Sequence, residues 1–215
     1  MSLNLPPPWE AFPRFEIGDW WKEEPLPLAF GNFFSYKDLS VEVGFGHGEF
    51  LHQMARSRPE DLFIGIEHFG EGFRKLVREV KKEGTANCLP LIGDGFIILQ
   101  VVFGDGEISD LYVNFPDPWP KKRHEDRRLF VKEFFSLAAR KIKDGGFLHL
   151  ATDHLPLAEQ AMTDMRDVAD FANADGPDAF RRESPYPFRT RYETKWMSEG
   201  RNLFYFTYEK KKCRT

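Results

Sequence analysis

Short apolar runs that alternate with helical patterns constrain the fold of this 215-residue chain more than any other feature. Most of the runs are apolar at nearly every position, as in strands that are buried on both faces of a sheet. They span residues 39–43, 62–66, 87–92, 108–115 and 147–151. Helical patterns lie at 49–56, 73–82, 96–103, 127–143 and 156–171. The alternation predicts an α/β fold, in which one mostly parallel sheet carries helices on both faces.

The two ends of the chain depart from this pattern. Residues 1–38 are rich in Pro and aromatic residues, and we expect an irregular N-terminal lead-in that packs its Trp residues on the domain or forms a mobile arm. Residues 39–215 are expected to form a single domain. Gly145-Gly146 is expected to stop the helix at 127–143, and residues 179–215 are expected to form a closing antiparallel pair.

A glycine-rich turn joins the first predicted strand to the first predicted helix. Its pattern, Glu42-x-Gly44-x-Gly46-x-Gly48, lets the backbone approach a ligand at the sheet edge where open α/β folds bind ligands. Dinucleotide enzymes instead use GxGxxG and place a pyrophosphate at the helix N-terminus. The acid before this turn favours a cationic ligand without phosphate, such as S-adenosylmethionine. A turn needed only for helix–sheet packing is the alternative.

Two more acids stand at the ends of the next two predicted strands. Glu67 is placed to bind ribose hydroxyls, and Asp94 is placed to reach an adenine amino group. The carboxyl ends of parallel strands meet at one edge of a sheet, so we expect these acids and Glu42 to converge on one crevice. Each acid alone is more often an ordinary loop residue, and an acid after the second strand also occurs in NAD enzymes.

The fourth predicted strand leads into Asn114-Phe-Pro-Asp-Pro-Trp-Pro-Lys-Lys-Arg123. The prolines on both sides of Asp117 restrict the backbone, so this acid is expected in a stiff, extended turn. An aromatic residue and a cationic run follow at once. Such a turn suits the binding of a flat polar ring beside a polyanion.

Charge is unevenly distributed along the chain. The net charge of −4 argues weakly against a nucleic-acid partner. However, residues 119–143 hold nine Lys and Arg against three Asp and Glu, and residues 181–215 hold ten against four. Two basic segments on an acidic body suggest a localised site for a polyanion. Solvated helix faces and a charged tail are the alternative.

Several classes of protein are disfavoured by what the sequence contains. Cys88 and Cys213 lack metal-site spacing, which is typical of a reducing, cytoplasmic location. No signal peptide and no apolar run of membrane-spanning length are evident, so we expect no membrane partner. His47/His52 and His149/His154 are each five apart rather than four, so we expect no metal site.

Three stretches resemble the bacterial tRNA (guanine-N7-)-methyltransferase family of class I S-adenosylmethionine-dependent enzymes. They are Phe115 to His124 with Arg127-Arg128-Leu129, Ala151-Thr152-Asp153, and Thr190-x-Tyr192-Glu193-x-Lys195. The match extends from Phe30 through the last predicted strand. Glu125 and Asp126 depart from a stretch that is often basic or neutral in the family. The glycine turn alone would indicate only a class I methyltransferase.

The resemblance implies a Rossmann-like fold with a seven-stranded sheet, one strand of which is antiparallel. It implies methyl transfer from S-adenosylmethionine to N7 of guanosine 46 in the tRNA variable loop. The implied cofactor-binding residues are Glu42, Gly44, Gly46, Gly48, Glu67, Asp94 and Asp117, and Asp117 also matches the catalytic acid. The implied substrate-binding residues are Lys121, Asp153, Thr190, Arg191, Tyr192 and Glu193.

Alternatives remain at this point. Thr190 and Glu193 also fit the cap and capping-box partner of a helix, and both roles can hold together. The chain could instead be a class I methyltransferase that acts on another RNA, a small molecule or a protein. An NAD-dependent oxidoreductase and a non-catalytic RNA-binding protein are further alternatives. We expect tRNA as the partner and a monomer or homodimer.

Overall fold

The computed structural model describes residues 5–12, 14–118 and 129–212. Within these ranges, seven strands form one sheet. They are β1 Leu39–Val43, β2 Leu62–Glu67, β3 Cys88–Ile92, β4 Ile108–Asn114, β5 Ile142–Thr152, β6 Phe171–Asn173 and β7 Phe204–Lys210. The α-helices are α1 Pro8–Ala11, α2 Glu49–Ser57, α3 Gly70–Glu83, α4 Gly95–Val102, α5 Lys132–Lys141, α6 Leu155–Arg166 and α7 Arg191–Ser198.

The strands lie in the order β3-β2-β1-β4-β5-β7-β6. The first five strands are parallel, and β7 runs antiparallel to both of its neighbours, β5 and β6. The predicted mostly parallel, seven-stranded sheet is therefore confirmed. The chain order reverses between β1 and β4, and ligands of open α/β sheets bind outside the carboxyl ends of the strands at such a point.

Burial explains why these residues form strands and helices. Every residue of β1 and β2 is buried, since helices cover both faces of the sheet at its centre. In α3, Phe73, Leu76, Val77 and Val80 are buried at spacings of three and four residues, which places them on one helix face. The helix ends at Gly84, whose φ of +66° is the left-handed conformation typical of a helix C-terminus.

The described part of the lead-in packs against the β3 side of the sheet. Phe15 and Trp20 are buried with the rest of the core. The amide of Ile92, at the end of β3, donates to the Gly18 carbonyl at 3.0 Å, and the Trp21 indole donates to the Ile92 carbonyl at 3.4 Å. Since β3 is an edge strand, these bonds satisfy backbone groups that an open edge would leave unpaired.

The predicted helix at 127–143 is wrong at its C-terminal end. Helix α5 ends at Lys141, and β5 already begins at Ile142, so Gly145 and Gly146 lie inside the strand. The pairing of β4 with β5 shifts register here, as at a β-bulge. A Cβ on Gly146 would lie 2.6 Å from the Ser109 carbonyl oxygen, so the glycine permits close approach of two strands and does not stop a helix.

The predicted closing pair within residues 179–215 is confirmed only in part: its last strand is β7, but the strands that pair with β7 lie outside this range. The outer antiparallel partner of β7 is β6, which begins at Phe171, the last residue of the helix predicted at 156–171. Helix α6 ends at Arg166. Residues 179–203 contribute one isolated bridge, Arg181 to Tyr205, followed by α7. A three-residue strand is too short to show an alternating pattern, which is why the sequence did not indicate β6.

Candidate functional site

The glycine turn occupies the carboxyl end of β1 in the conformation that its sequence predicts. Gly44, Gly46 and Gly48 have φ values of +77°, +59° and +79°, a region that favours glycine. A Cβ on Gly48 would lie 2.8 Å from Leu76, whereas one on Gly44 would meet no atom of the described residues within 4 Å. The inner side of the turn is therefore packed on α3, and open space remains beside Gly44.

Glu42 lies below this turn and is 1% exposed. Its Oε1 accepts a hydrogen bond from Asn114 Nδ2 at 2.9 Å, and its buried Oε2 forms no hydrogen bond of regular geometry within the described part of the chain. The Leu51 amide, in α2, is close enough to the carboxyl group to act against the rise of its pKa. Burial raises the pKa of Glu42 to about 8, and the charges of Glu67 and Glu49 add to this effect. An unsatisfied buried acceptor among other acids fits a cationic ligand group. The sequence did not identify Asn114 as the partner, since it lies 72 positions away.

Glu67 is buried at the end of β2 and binds three backbone amides. Its Oε2 accepts from Gly46 at 2.7 Å, and its Oε1 accepts from His68 at 2.8 Å and from Phe69 at 2.9 Å. His68 Nδ1 also lies 3.1 Å from Oε1, whereas Gly46 is the one described donor to Oε2, so an accepting position remains on Oε2. Glu67 therefore fixes the glycine turn to β2 while its carboxylate stays at the crevice.

Asp94 is exposed at the N-terminus of α4, where its Oδ1 accepts from the Ile97 amide at 2.9 Å. Two apolar side chains at this edge of the sheet are unusually exposed to solvent: Phe69 is 48% exposed and Ile97 is 55% exposed. They follow the ends of β2 and β3, the same edge that carries Glu67 and Asp94. Neither residue was predicted from the sequence, although each comes two or three residues after a strand-end acid.

Asp117 is exposed just beyond β4, and no described residue donates a hydrogen bond to its carboxylate. The turn that carries it starts with Phe115 at a φ of +50°, a strained conformation for an aromatic residue. Two contacts hold Phe115 in place: its amide donates to the Ala151 carbonyl at 2.8 Å, and its ring meets Tyr205 edge to face at 6.1 Å. Trp119 and Lys121, together with the rest of 119–128, lie outside the described residues.

The tetrad Thr190–Glu193 lies at the start of α7. Its outer two residues cap the helix, and its middle two are exposed to solvent. Thr190 Oγ1 accepts from the Glu193 amide at 3.0 Å, and Glu193 Oε2 accepts from the Thr190 amide at 3.3 Å. The predicted capping box is thus confirmed. Glu193 is buried, and burial raises its pKa. Arg191 and Tyr192 are exposed and available to a ligand.

The first turn of α7 contacts the glycine turn. Arg191 Nη1 lies 2.8 Å from His47 Nδ1. A Cβ on Gly46 would lie 3.9 Å from Tyr192 Cε2. The structure therefore brings predicted cofactor-binding and substrate-binding residues together at one end of the sheet.

Asp153 follows β5 and forms an ion pair with Arg201 at 2.7 Å. The Arg201 guanidinium carbon lies 3.6 Å from the centroid of the Trp196 ring, and Trp196 stacks on Tyr192 with ring centroids 6.1 Å apart. A planar cation over an aromatic face is a favourable pair. Arg201 and Trp196 were missed in the sequence analysis; the signal for Trp196 was its position four residues after Tyr192 on one helix face.

Other kinds of site find no support in the part of the chain that is described. There, no group of three or more His, Cys, Asp or Glu side chains could hold a metal ion. Among the described helices, none has both the length and the apolar character of a membrane span.

Comparisons with known sequences agree on one group of proteins. The sequence model of a family described as putative methyltransferase matches residues 37–206. A tRNA (guanine-N(7)-)-methyltransferase of Nitrosococcus oceani is 37% identical over 84% of this chain and 74% of its own length. The enzymes of the same name from Thermus thermophilus and Thermotoga maritima are 36% and 33% identical over 80% and 91% of this chain, and over 54% and 58% of their own lengths.

Solved structures of low sequence identity share the fold. The 16S rRNA methyltransferase KamB superposes with a TM-score of 0.62 at 15% identity, over 83% of this chain and 90% of its own. A phosphoethanolamine N-methyltransferase from Haemonchus contortus, in complex with S-adenosyl-L-methionine, gives a TM-score of 0.54 at 12% identity, over 83% of this chain and 50% of its own. These similarities identify a class I methyltransferase fold.

Proposed function

This chain belongs to the tRNA (guanine-N(7)-)-methyltransferase family, and we propose that it transfers a methyl group from S-adenosylmethionine to N7 of a guanine in tRNA. Its similarity to curated enzymes of that name, over most of its length, carries the proposal. The fold and the acidic crevice beside an exposed aromatic and basic surface support the same conclusion.

The residues of the crevice fit the methyl donor. S-adenosylmethionine supplies an electrophilic methyl group on a sulfonium and carries a cationic amino group, a ribose diol and an adenine. The unpartnered Oε2 of Glu42 suits the amino group, and the open space beside Gly44 admits it. The remaining acceptor capacity of Glu67 suits a ribose hydroxyl, and Asp94 suits the adenine amino group.

The other proposed cofactor contacts follow from position. Gly46 and Gly48 complete the turn around the ligand. Phe69 and Ile97, both half exposed at the same edge, provide apolar faces for the adenine ring. Asp117 borders the donor from the β4 side.

Asp117 is the proposed catalytic residue. Guanine N7 is a neutral nucleophile with a free lone pair, so no proton has to be removed before it attacks a methyl group. The main task of the protein is therefore to align the reacting atoms. A fixed carboxylate stabilises the positive charge that spreads over the purine, or accepts hydrogen bonds from guanine N1–H and the amino group. The strained Phe115 backbone directs the turn that carries this carboxylate.

The tRNA side of the site is proposed to comprise Lys121, Asp153 and the tetrad Thr190–Glu193. In the tetrad, Arg191 and Tyr192 are the exposed members and would contact RNA, while Thr190 and Glu193 hold the helix start. A guanine within folded tRNA has to leave its stack, and the Tyr192 ring offers a surface for it. Asp153 Oδ1 remains for a base, since Oδ2 pairs with Arg201.

The proposal includes finer statements. We propose guanosine 46 of the variable loop as the target, on the basis of the family resemblance. The free, buried Cys88 supports a reducing, cytoplasmic location. A monomer or a homodimer is proposed as the working state.

The experiment uses unmodified tRNA transcript, methyl-labelled S-adenosylmethionine and the purified chain, followed by nucleoside analysis. Labelled 7-methylguanosine is expected. A matched transcript with 7-deazaguanosine at the target should accept no label, because it lacks the N7 atom. Ribosomal RNA is included as a competing substrate. Label in another nucleoside or in rRNA alone would overturn the proposal.

A further inference from the structure

His47 links the glycine turn to two basic side chains from other elements. It lies between Gly46 and Gly48, whose left-handed conformations fix the backbone on both sides of it. Its Nδ1 lies 2.8 Å from Arg191 Nη1 on α7 and 3.4 Å from Lys75 Nζ on α3. The His47–Arg191 contact joins residues that lie 144 positions apart in the sequence.

The charges around His47 determine how the contact works. A guanidinium and an ammonium can only donate hydrogen bonds, so His47 Nδ1 must present its lone pair to them. Glu49 balances part of the positive charge, because its Oε1 lies 2.6 Å from Lys75 Nζ and 3.8 Å from His47 Nδ1. The neutral imidazole is thus the acceptor that joins Arg191 to the turn.

Helix α7 is held at both ends: Trp196 packs its C-terminal half against Ala151, Leu203 and Tyr205, and the first turn is held by the buried Glu193 and by this junction. It is eight residues long, and Glu193 is its buried member. The segment before it is fixed by Tyr186, whose ring meets Phe50 and Tyr112 at 5.5 Å, and by Phe180 and Phe188, which also pack against the core. The orientation of Arg191 and Tyr192 therefore depends on the conformation of the glycine turn.

We propose that His47 is a positioning residue that couples the cofactor turn to the RNA-binding start of α7, so that an occupied cofactor site strengthens tRNA binding. This inference rests on the proposed function. A ligand beside Gly44 and Glu42 restricts the remaining motion of the glycine turn. The His47–Arg191 hydrogen bond then restricts the first turn of α7 in the same way. By thermodynamic linkage, tRNA must strengthen cofactor binding by the same factor.

The test measures the tRNA dissociation constant with and without S-adenosylhomocysteine, which fills the cofactor site without turnover. Wild-type protein is expected to bind tRNA about 5-fold tighter or more with this ligand, within the usual range of coupling between sites. In His47→Ala, the ratio of the tRNA dissociation constants without and with S-adenosylhomocysteine should be close to one. His47→Asn should keep most of the coupling, because the asparagine Oδ1 can accept near the position of His47 Nδ1.

A second variant removes the α7 partner in the His47–Arg191 contact. Arg191→Leu is expected to lower tRNA affinity in general and also to remove the effect of S-adenosylhomocysteine on it. The readout is the ratio of two dissociation constants, so a general loss of affinity does not imitate the result. Circular dichroism and thermal melting establish that each variant is folded.

Two results would overturn the coupling. One is a wild-type tRNA affinity that S-adenosylhomocysteine does not change, and the other is a His47→Ala protein whose tRNA affinity still responds to S-adenosylhomocysteine as strongly as that of wild type. Failure of the proposed function is recognised separately, because wild-type protein would then form no 7-methylguanosine. If the protein methylates tRNA but S-adenosylhomocysteine does not strengthen its tRNA binding, only the role of His47 is contradicted.

Discussion

At the scale of single residues, Glu42 gives the strongest structural support for the proposed cofactor site. A folded chain gains nothing by burying a carboxyl group with one unsatisfied oxygen beside two other acids. Strongly perturbed groups of this kind cluster at functional sites. Asn114 donates to one oxygen of Glu42 and leaves the other oxygen available to a cation. This arrangement lowers the stability of the ligand-free protein and favours binding of a cationic ligand.

The pKa of Glu42 gives a prediction about stability and pH. An unfolded glutamate titrates near 4.5 and Glu42 near 8, so between these values the folded chain holds a proton that the unfolded chain has lost. The free energy of unfolding therefore falls as the pH rises from 4.5 to 8, by up to roughly 4 kcal/mol. In Glu42→Gln this part of the pH dependence is expected to disappear.

Urea unfolding of wild type and Glu42→Gln at pH 5.5 and pH 8.5 measures the effect. The stability of the variant relative to wild type should be higher at pH 8.5 than at pH 5.5. A difference that is equal at both pH values would contradict the perturbed titration. Calorimetric titration should also show weaker cofactor binding in the variant, because glutamine carries no charge for the amino group.

Asp117 gives the second prediction at this scale. Asp117→Asn keeps the shape of the side chain and removes its charge, so the single-turnover methylation rate is expected to fall by about 10²-fold or more. Cofactor affinity should change little, because Glu42, Glu67 and Asp94 remain. The control is Asp167→Asn, an exposed acid at the end of α6 that pairs with Lys132. An Asp117→Asn rate equal to that of the control would remove Asp117 from catalysis.

At the scale of elements, α7 is a short helix that is fixed by a capping box at its start and by the packing of Trp196 in its second half. Its capping box satisfies two backbone amides, and α7 is too short to be stable alone. Thr190→Ala should cost the cap about 1 kcal/mol, and Thr190→Ser should keep it. Loosening of the first turn is expected to raise the KM for tRNA while the melting temperature stays nearly constant.

Hydrogen exchange of residues 190–198 and steady-state kinetics check this prediction together. Thr190→Ala should exchange faster over α7 and show the higher KM, and Thr190→Ser should resemble wild type. Unchanged exchange with a higher KM would mean that the Thr190 hydroxyl contacts tRNA directly and does not act through the helix.

How well the sequence predicts an element depends on where its determinants lie. The buried runs β1 to β4 and the glycine turn are determined locally, by apolar residues and by glycine conformations, so they were predicted well. β6 exists because it pairs with β7, and the bulge in β5 exists because Gly146 must approach Ser109. Neither cause is visible in a short window of sequence.

The same distinction applies to the candidate site. Strand-end acids follow from parallel topology, so Glu42, Glu67 and Asp94 could be placed at one edge from the sequence. The roles of Asn114, His47 and Arg201 depend on partners that lie 72, 144 and 48 positions away. Such pairs become visible only when the fold brings them together.

At the scale of the whole molecule, the lead-in contacts the edge of the sheet next to the proposed cofactor site. We propose that residues 39–215 form one domain and that the lead-in is its covering segment. A Cβ on Gly18 would lie 2.4 Å from Phe73 of α3, so the segment passes tightly over this helix. Its hydrogen bonds to Ile92 lie two residues before Asp94.

Replacement of Trp21 by alanine tests whether the lead-in is part of the folded unit. Trp21 is buried and donates to the Ile92 carbonyl, so Trp21→Ala is expected to lower the free energy of unfolding by about 3–5 kcal/mol. Because Ile92 leads directly into Gly93 and Asp94, cofactor affinity should fall as well. Ile17→Ala, at a side chain 54% exposed in the same segment, is the matched control and should change neither quantity much. Urea unfolding and calorimetric titration measure both effects. A Trp21→Ala protein as stable as the control would show that the lead-in can detach without loss, and the edge of β3 would then have to be stable alone.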